Sequence, residues 1–85
     1  MRADLVLKQT AIIKRRAIAK SLLEKGCVLV NDKIAKPSTE VKSNDVLCVS
    51  LGQRLIKAKI IIELRGKKEI ATSEILSIEK TQNES

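Results

Sequence analysis

The chain has 85 residues and a formal net charge of +7, which comes from 17 Lys and Arg against 10 Asp and Glu. It contains no His, Phe, Tyr or Trp. These absences exclude catalysis by histidine, histidine metal sites, and RNA-binding sheets that stack bases on aromatic side chains. A chain this short has room for one small domain, and the excess of cations predicts an anionic partner.

Cys27 and Cys48 are the two cysteines, and neither belongs to a C-x-x-C pair. Two thiols without a histidine cannot complete a zinc site, so we predict no metal and no cofactor. The N-terminal apolar stretch is too short for a signal peptide, and no segment approaches the roughly 20 apolar residues of a membrane span. The sequence therefore predicts a cytoplasmic protein with free cysteines and no membrane contact.

The first part of the chain is predicted to be helical. Arg2 to about Gln9 has the pattern of a short helix that ends at Thr10. A second helix is predicted from about Lys14 to Lys25, and Gly26 follows it at the position of a C-terminal glycine cap. Its apolar residues recur at intervals of three and four, which predicts one buried face formed by Ile18, Ala19, Leu22 and Leu23.

The next part of the chain has the pattern of strands. The pair Asn31-Asp32 lies between two short runs, Val28–Val30 and Lys33–Ala35, and both residues of the pair tolerate positive φ. This arrangement predicts a hairpin with a two-residue turn. A longer strand is predicted over Val46–Leu51, where Leu47, Val49 and Leu51 alternate inward. Another is predicted over Arg54–Leu64, which is rich in Ile and alternates with Lys57 and Lys59.

The C-terminal part of the chain gives a less regular pattern. After Gly66, a short turn of helix is predicted to begin at Ile70, and a last strand is predicted over Ile75–Ile78. The polar residues Thr81–Ser85 are predicted to fray. Two or three helices followed by a small antiparallel sheet of four to five strands predict an α+β domain.

Most of the positive charge lies in the first half of the chain. Residues 1–42 hold ten Lys and Arg and four Asp and Glu, a net charge of +6, whereas residues 43–85 hold seven and six, a net charge of +1. Lys14, Arg15 and Arg16 fall in the first turn of the predicted second helix, where the helix dipole disfavours each cation by roughly 0.3–1 kcal/mol. Free N–H groups and guanidinium groups at such a position suit a bound phosphate.

Further polar residues from the first helix, the hairpin turn and the segment after it are predicted to extend this surface. Asp4 has two interpretations that remain open, either a favourable charge near a helix start or a partner that orients Arg2 or Arg16. Ser38 either caps a turn or contacts the ligand. The predicted RNA-binding residues are Arg2, Lys8, Lys14, Arg15, Arg16, Lys20, Asn31, Lys33, Lys36 and Ser38.

Catalysis is not predicted, and no catalytic residue is assigned. The serines have no histidine to activate them, the carboxylates show no paired spacing, and the three glycines form no nucleotide phosphate loop. A membrane-surface helix over residues 12–25 is an alternative for the basic segment. That segment has no Trp or Phe to anchor it at an interface, which favours RNA.

Four blocks of the sequence occur in the order found in a known RNA-binding family. They are Arg2–Lys8, Ile13–Ala19 with the pattern Lys-Arg-Arg-x-x-Ala, Gly26–Asn31, and Lys36–Ser38. On these residues the chain resembles the S4 RNA-binding domain, in the stand-alone branch of the ribosome-associated heat-shock proteins and the ribosome-quality-control factors of the RqcP type. The resemblance implies an S4-like (alpha-L) domain over residues 1–64, with residues 65–85 as a short C-terminal extension.

The heat-shock type carries a longer basic C-terminal extension, so the resemblance is nearer to the RqcP type. It implies a monomer that binds large-subunit ribosomal RNA and peptidyl-tRNA on obstructed 50S subunits. There it would support C-terminal alanine tailing of stalled nascent chains by a factor of the RqcH class. Arg2 and Arg16 match the arginines that the family uses against RNA.

The chain departs from the family pattern at two turns. It has Asn31-Asp32 where the family often has Asn-Gly, and Asn44-Asp45 where the family often has Gly-Asp. Both residue types enter the left-handed region with modest strain, so the fold is expected to be kept. Three alternatives remain: a 50S recycling factor of the heat-shock type, a duplex DNA-binding module, and an interaction module that uses the Ile-rich strand at residues 60–62.

Overall fold

The computed structural model describes residues 1–80 and contains two helices, α1 (Ala3–Gln9) and α2 (Arg16–Glu24). The predicted fraying of Thr81–Ser85 lies outside the described residues. Five strands follow the helices, which confirms the α+β class. The strands are β1 (Val28–Val30), β2 (Lys33–Ile34), β3 (Val46–Leu51), β4 (Arg54–Arg65) and β5 (Lys68–Lys80).

The five strands form one sheet in the order β2-β1-β3-β4-β5, and every neighbouring pair is antiparallel. Strands β4 and β5 form a long hairpin whose register runs from Arg65 opposite Lys68 to Arg54 opposite Lys80. A bulge interrupts this register between Lys57 and Ala58. The two helices pack on one face of the sheet, which gives two layers around one core.

Helix α1 is short and is held mainly by burial. Ala3, Val6 and Leu7 are fully buried, and their spacing of three and four residues places them on one side of the helix. Thr10 is the C-cap residue, as predicted, and its hydroxyl donates a hydrogen bond of 2.8 Å to the carbonyl of Val6. The chain then turns at Ala11, whose φ of 59° is in the left-handed region.

Helix α2 ends as predicted but has a narrower buried face. After its last residue, the amides of Gly26 and Cys27 donate to the carbonyls of Leu23 and Leu22, respectively, which are the two bonds of a Schellman cap. Gly26 has the positive φ that this cap requires, 76°. Ala19 and Leu23 are buried, one turn apart. The prediction that Ile18 belongs to this face is wrong, because Ile18 is 44% exposed and lies about 100° around the helix from Ala19.

The predicted β1–β2 hairpin is present, with φ values of 51° at Asn31 and 68° at Asp32. Two consecutive positive φ values are the signature of a type I′ turn, which suits the twist of the strands. The side-chain amide of Asn31 donates to Asp45 Oδ1 at 3.0 Å, and its oxygen accepts from the amide of Val46 at 3.0 Å. Asn31 therefore joins this turn to the start of β3.

The prediction of a helical turn at Ile70 is wrong, because Ile70 lies within β5. Strand β4 continues to Arg65, and Gly66 with a φ of 63° allows a two-residue turn into β5. From Lys68 onward each residue except Leu76 pairs with a residue of β4, so the ladder bonds of β4 favour a strand over a local helix. The predicted strand at Ile75–Ile78 is the last part of this longer strand.

The core lies between the helices and the inner face of the sheet. Leu7 and Leu23 from the helices meet Leu47 and Ile60 from β3 and β4, and all four are at most 1% exposed. Cys27 and Cys48 are free cysteines, and both are half-buried. No helix within residues 1–80 is long and apolar enough to cross a membrane.

The division of the chain into a domain of residues 1–64 and an extension of residues 65–85 stays a prediction. Strand β5 falls in the extension by that division. It pairs with β4 along its length, and Ala71 belongs to the core.

Candidate nucleic-acid interface

Four of the predicted RNA-binding cations lie around the start of α2. Arg16 is the first residue of the helix and Lys20 follows one turn later, whereas Arg15 is the N-cap residue with an extended backbone (φ −100°, ψ 124°). The prediction that Lys14 and Arg15 fall within the first turn of this helix is therefore wrong. These residues belong instead to the connection between α1 and α2. In that connection Ile13 is buried, and its amide donates to the carbonyl of Leu7 at 3.2 Å.

The start of α2 is electrostatically open. Its first turn contains no acidic residue, and no side chain caps it. The first hydrogen bond of the helix runs from the amide of Ala19 to the carbonyl of Arg15 at 3.0 Å, so the three preceding amides have no acceptor within the helix. All four cations are exposed, and this group, the α2 cluster, consists of Lys14, Arg15, Arg16 and Lys20.

Arg2 lies at the start of the other helix and has a partner. Its Nη2 atom is 3.2 Å from Oδ2 of Asp4, whose side chain is 6% exposed against 61% for Arg2. The other carboxylate oxygen of Asp4 accepts from the amide of Leu5 at 2.8 Å. Asp4 is thus the residue that orients Arg2, which answers the question that the sequence leaves open, and most of the guanidinium surface still faces solvent.

The segment that contains Lys36 and Ser38 lies against the start of α1. The amides of Ala3 and Asp4 donate to the carbonyls of Thr39 and Pro37 at 2.8 and 3.3 Å. Arg2 also forms an isolated backbone bridge with Glu40. These bonds place Arg2, Lys36 and Ser38 in one region, the loop cluster.

Ser38 does not cap the turn of this segment. Thr39 has that role, because its Oγ1 accepts from the amide of Lys36 at 2.8 Å. The side chains of Lys36 and Ser38 are exposed, and within residues 1–80 neither has a hydrogen-bond partner. Both are therefore accessible to a ligand.

A groove of about 420 Å³ separates the β1–β2 hairpin from the segment after Ser38. Lys33 of the hairpin and Lys42 both line it, and so do the acidic residues Glu40 and Asp45. Lys42 is not among the predicted RNA-binding residues, and no local pattern in the sequence indicates that it shares this groove with Lys33.

The structure therefore brings the predicted residues together in two groups rather than one. The α2 cluster is continuous along the chain, and Lys8 is exposed in the last turn of α1, where its charge also suits the helix dipole. Lys33 shares the groove with Thr39 and Glu40, which directly follow Ser38 of the loop cluster. Asn31 lines that groove, but both polar ends of its side chain already hold the fold together.

Among residues 1–80, the contact between Arg2 and Asp4 is the one ion pair, so no acid neutralises Arg15 or Arg16. An open helix start with exposed guanidinium groups can hold phosphate oxygens by charge-assisted hydrogen bonds. The described residues contain no group of acidic and cysteine side chains that could hold a metal ion. The arrangement suits recognition of a phosphate backbone by its shape and charge.

Comparison with known proteins gives a consistent result. A family model described as S4 domain matches residues 1–47. Several relatives bear the name RQC P-site tRNA stabilizing factor, among them two that match over nearly the whole chain. The relative from Listeria innocua is 46% identical over 84 residues, which cover 95% of this chain and 91% of the relative. The relative from Streptococcus pneumoniae is 40% identical over 86 residues, which cover 99% of this chain and 97% of the relative.

The fold has a counterpart among solved structures. The trimeric structure of heat shock protein 15 from Vibrio cholerae matches this chain with a TM-score of 0.69 and 25% sequence identity, over 87% of this chain and 81% of that one. The predicted S4-like fold and the predicted family are both confirmed by these matches. The chain belongs to the S4 domain family, in the branch of the RQC P-site tRNA stabilizing factors.

Proposed function

We propose that this protein is a non-catalytic RNA-binding factor that stabilises tRNA in the P site of the large ribosomal subunit during ribosome quality control. The name of its relatives supports the tRNA, the site and the process. The structural observation that carries the proposal is the α2 cluster, in which exposed cations surround a helix start that no acid neutralises.

The RNA contacts are proposed to be made mainly with phosphate groups. Arg15 and Arg16 offer guanidinium donors beside the free amides of α2, and Arg2 offers a guanidinium that Asp4 holds in place. Lys8, Lys14, Lys20, Lys33, Lys36 and Ser38 extend the contact surface, and Asn31 contributes through the hairpin that it stabilises. A chain without aromatic side chains reads RNA by backbone and shape rather than by base stacking.

The cellular setting follows from the same proposal. The protein acts in the cytoplasm as a monomer, on obstructed 50S subunits, where it contacts large-subunit rRNA and peptidyl-tRNA. Its protein partner is an alanine-tailing factor of the RqcH class, which extends the stalled nascent chain. No cofactor and no membrane take part.

Co-sedimentation tests the proposal directly. The purified protein is mixed with large subunits that carry peptidyl-tRNA and, separately, with empty large subunits, and each mixture is centrifuged through a sucrose gradient. We expect the protein to migrate with the tRNA-carrying subunits and to do so less with the empty ones. Recovery in the free-protein fractions with both kinds of subunit would contradict the proposal.

A second candidate is large-subunit recycling of the heat-shock type, which the structural match to heat shock protein 15 favours. The two candidates differ in their effect on stalled chains. Cells that lack the protein should lose C-terminal alanine tails if it supports tailing, and should keep them if it serves recycling alone. Competition between structured RNA and duplex DNA at matched salt separates both from DNA binding.

A further inference from the structure

Among residues 1–80, no strand lies beside the outer edge of β5, which is at one end of the sheet. Alternate residues of β5 direct their backbone N–H groups outward. Ala71 is one of them, since its amide donates to Gln9 Oε1 at 2.9 Å. The register with β4 places Ser73, Ile75 and Ile78 in the same outward-facing set. Within residues 1–80, no other element pairs with these three amides.

Large apolar side chains lie along this open edge. Ile75, Leu76 and Ile78 are 47%, 47% and 60% exposed. Ile78 is directly opposite Ile56 in the register, and Ile75 shares that face of the sheet. Leu76 is the extra residue at the bulge and lines a hollow with Lys57 on the other face. An unpaired edge with exposed apolar side chains is a template for an added strand.

The charge of this edge is opposite to that of the rest of the protein. Residues 69–79 contain three glutamates and no Lys or Arg, in a chain whose net charge is +7. Glu74 and Glu79 are exposed and lie on the face of the sheet opposite to Ile75 and Ile78. Lys59 lies opposite Glu74 on the neighbouring strand, so the glutamates are the charges nearest to the open edge. A strand with three glutamates is a poor complement for a second copy of itself. Lys and Arg side chains are attracted.

We propose that the outer edge of β5 between Ser73 and Glu79 binds an extended segment of a partner protein in which apolar residues alternate with Lys or Arg. The backbone of the segment bonds to the outward amides and carbonyls of β5, which supplies affinity. Its apolar side chains pack beside Ile75 and Ile78 on one face, and its cations meet Glu74 and Glu79 on the other. The α2 cluster contributes no residue to this surface, so one molecule holds RNA and a basic protein segment together.

A synthetic peptide of alternating Lys and Val, about eight residues long to match a typical strand, tests the proposal. Its binding to the full chain is measured by fluorescence anisotropy, and the contact is located by amide chemical shifts in NMR. We expect binding with shifts at residues 73–79, and much weaker binding of a matched peptide of alternating Glu and Val. Equal affinity for the two peptides, or shifts confined to the α2 cluster, would overturn the proposal.

A substitution pair at Ser73 isolates the role of the edge backbone. Ser73→Pro removes an outward N–H and leaves the bonds to β4, a position where an edge strand tolerates proline. We expect it to weaken the Lys-Val peptide by about tenfold or more, because one backbone bond is lost and the ring obstructs the incoming strand. Ser73→Ala keeps the N–H and should bind like the parent. Equal loss in both variants would contradict strand addition.

A charge-reversal variant tests the same edge without a proline. Glu74→Lys combined with Glu79→Lys should reverse the preference, so that the Glu-Val peptide binds more tightly than the Lys-Val peptide. An unchanged preference would overturn the proposal. Sedimentation equilibrium measures whether the parent chain is a dimer. If it is, and if Ser73→Pro dissociates that dimer, the edge binds a second copy of the chain and the proposal of a basic segment is rejected.

Discussion

Arg2 and Arg16 both stand at the start of a helix, yet their surroundings differ. Arg2 is held by the nearly buried Asp4 at 3.2 Å, whereas no acid lies in the first turn of α2 beside Arg16. Because the Arg2 side chain is 61% exposed, water screens its charge, and the main effect of the ion pair is to restrict the position of the Arg2 guanidinium. Arg16 gains a counter-charge when a phosphate binds, and its contribution therefore depends on the ligand.

We expect Arg16→Ala to weaken RNA binding by about three- to tenfold, because one charge-assisted contact with phosphate is lost. The melting temperature should change little, since Arg16 is exposed and makes no ion pair within the described residues. RNA affinity and thermal unfolding are measured side by side. Lys25→Ala removes a cation at the opposite end of the same helix and is the matched control. An equal loss of RNA affinity in both variants would contradict a special role of the helix start.

Asp4→Asn is expected to affect both stability and RNA binding. The carboxylate is nearly buried and accepts from Arg2 and from the amide of Leu5, so its replacement should cost roughly 1–3 kcal/mol of unfolding free energy. Arg2 then loses its anchor, and RNA affinity should fall as well. Urea unfolding and RNA titration measure the two effects. Arg2→Ala serves as the control, because it should reduce RNA affinity with a smaller loss of stability.

At the scale of elements, α2 has two faces that the sequence separates only in part. Regular spacing predicted the buried positions of Ala19 and Leu23 correctly and added Ile18, which is exposed. A helix of nine residues makes only about two and a half turns, so few residues repeat on each face. Periodicity alone therefore cannot distinguish the centre of the buried stripe from its border. The partner surface, which is α1 in this fold, decides that border.

Leu23→Ala and Ile18→Ala are expected to differ clearly in stability. Leu23 is 1% exposed within the core, so its truncation should cost about 2–5 kcal/mol of unfolding free energy. Ile18 is 44% exposed, and its truncation should cost at most about 1 kcal/mol. Urea titration followed by circular dichroism gives both values. Similar costs at the two positions would mean that α2 is rotated relative to the face described above.

The sequence predicted local features better than contacts between distant residues. The hairpin turn at Asn31 and the cap at Gly26 can be predicted from the sequence, because each depends on the conformation of a few adjacent residues. Ile70 was misassigned because its strand exists through pairing with β4, which the local pattern does not contain. The contact of Pro37 and Thr39 with the start of α1 also joins distant parts of the chain, so the sequence does not predict it. The loop cluster depends on this contact and is not predicted either.

At the scale of the whole molecule, charge is divided between surfaces. The cations of the α2 cluster and the loop cluster belong to the first half of the chain, whereas residues 69–79 on the far edge of the sheet carry three glutamates and no cation. A field of this kind attracts polyanions to one side and orients the protein as it approaches them.

RNA binding should therefore depend steeply on salt. If the four cations of the α2 cluster each neutralise one phosphate, the logarithm of the binding constant falls with the logarithm of salt concentration with a slope of about −2.8 for a single strand. A fourfold increase in salt then weakens binding about fiftyfold. Filter binding across a salt series measures the slope, and Arg16→Ala should make it shallower by about 0.7. A slope near zero would indicate binding that does not use phosphate.

The backbone bonds at the start of α1 have a consequence for how such a protein can change. The first two amides of this helix are already bonded to the carbonyls of Thr39 and Pro37, so a phosphate beside Arg2 meets a side-chain charge alone. A longer turn between Lys36 and Glu40 would withdraw those carbonyls. Two additional donors would then open next to Arg2, and the affinity of that region for anions would rise without the gain of a single new cation.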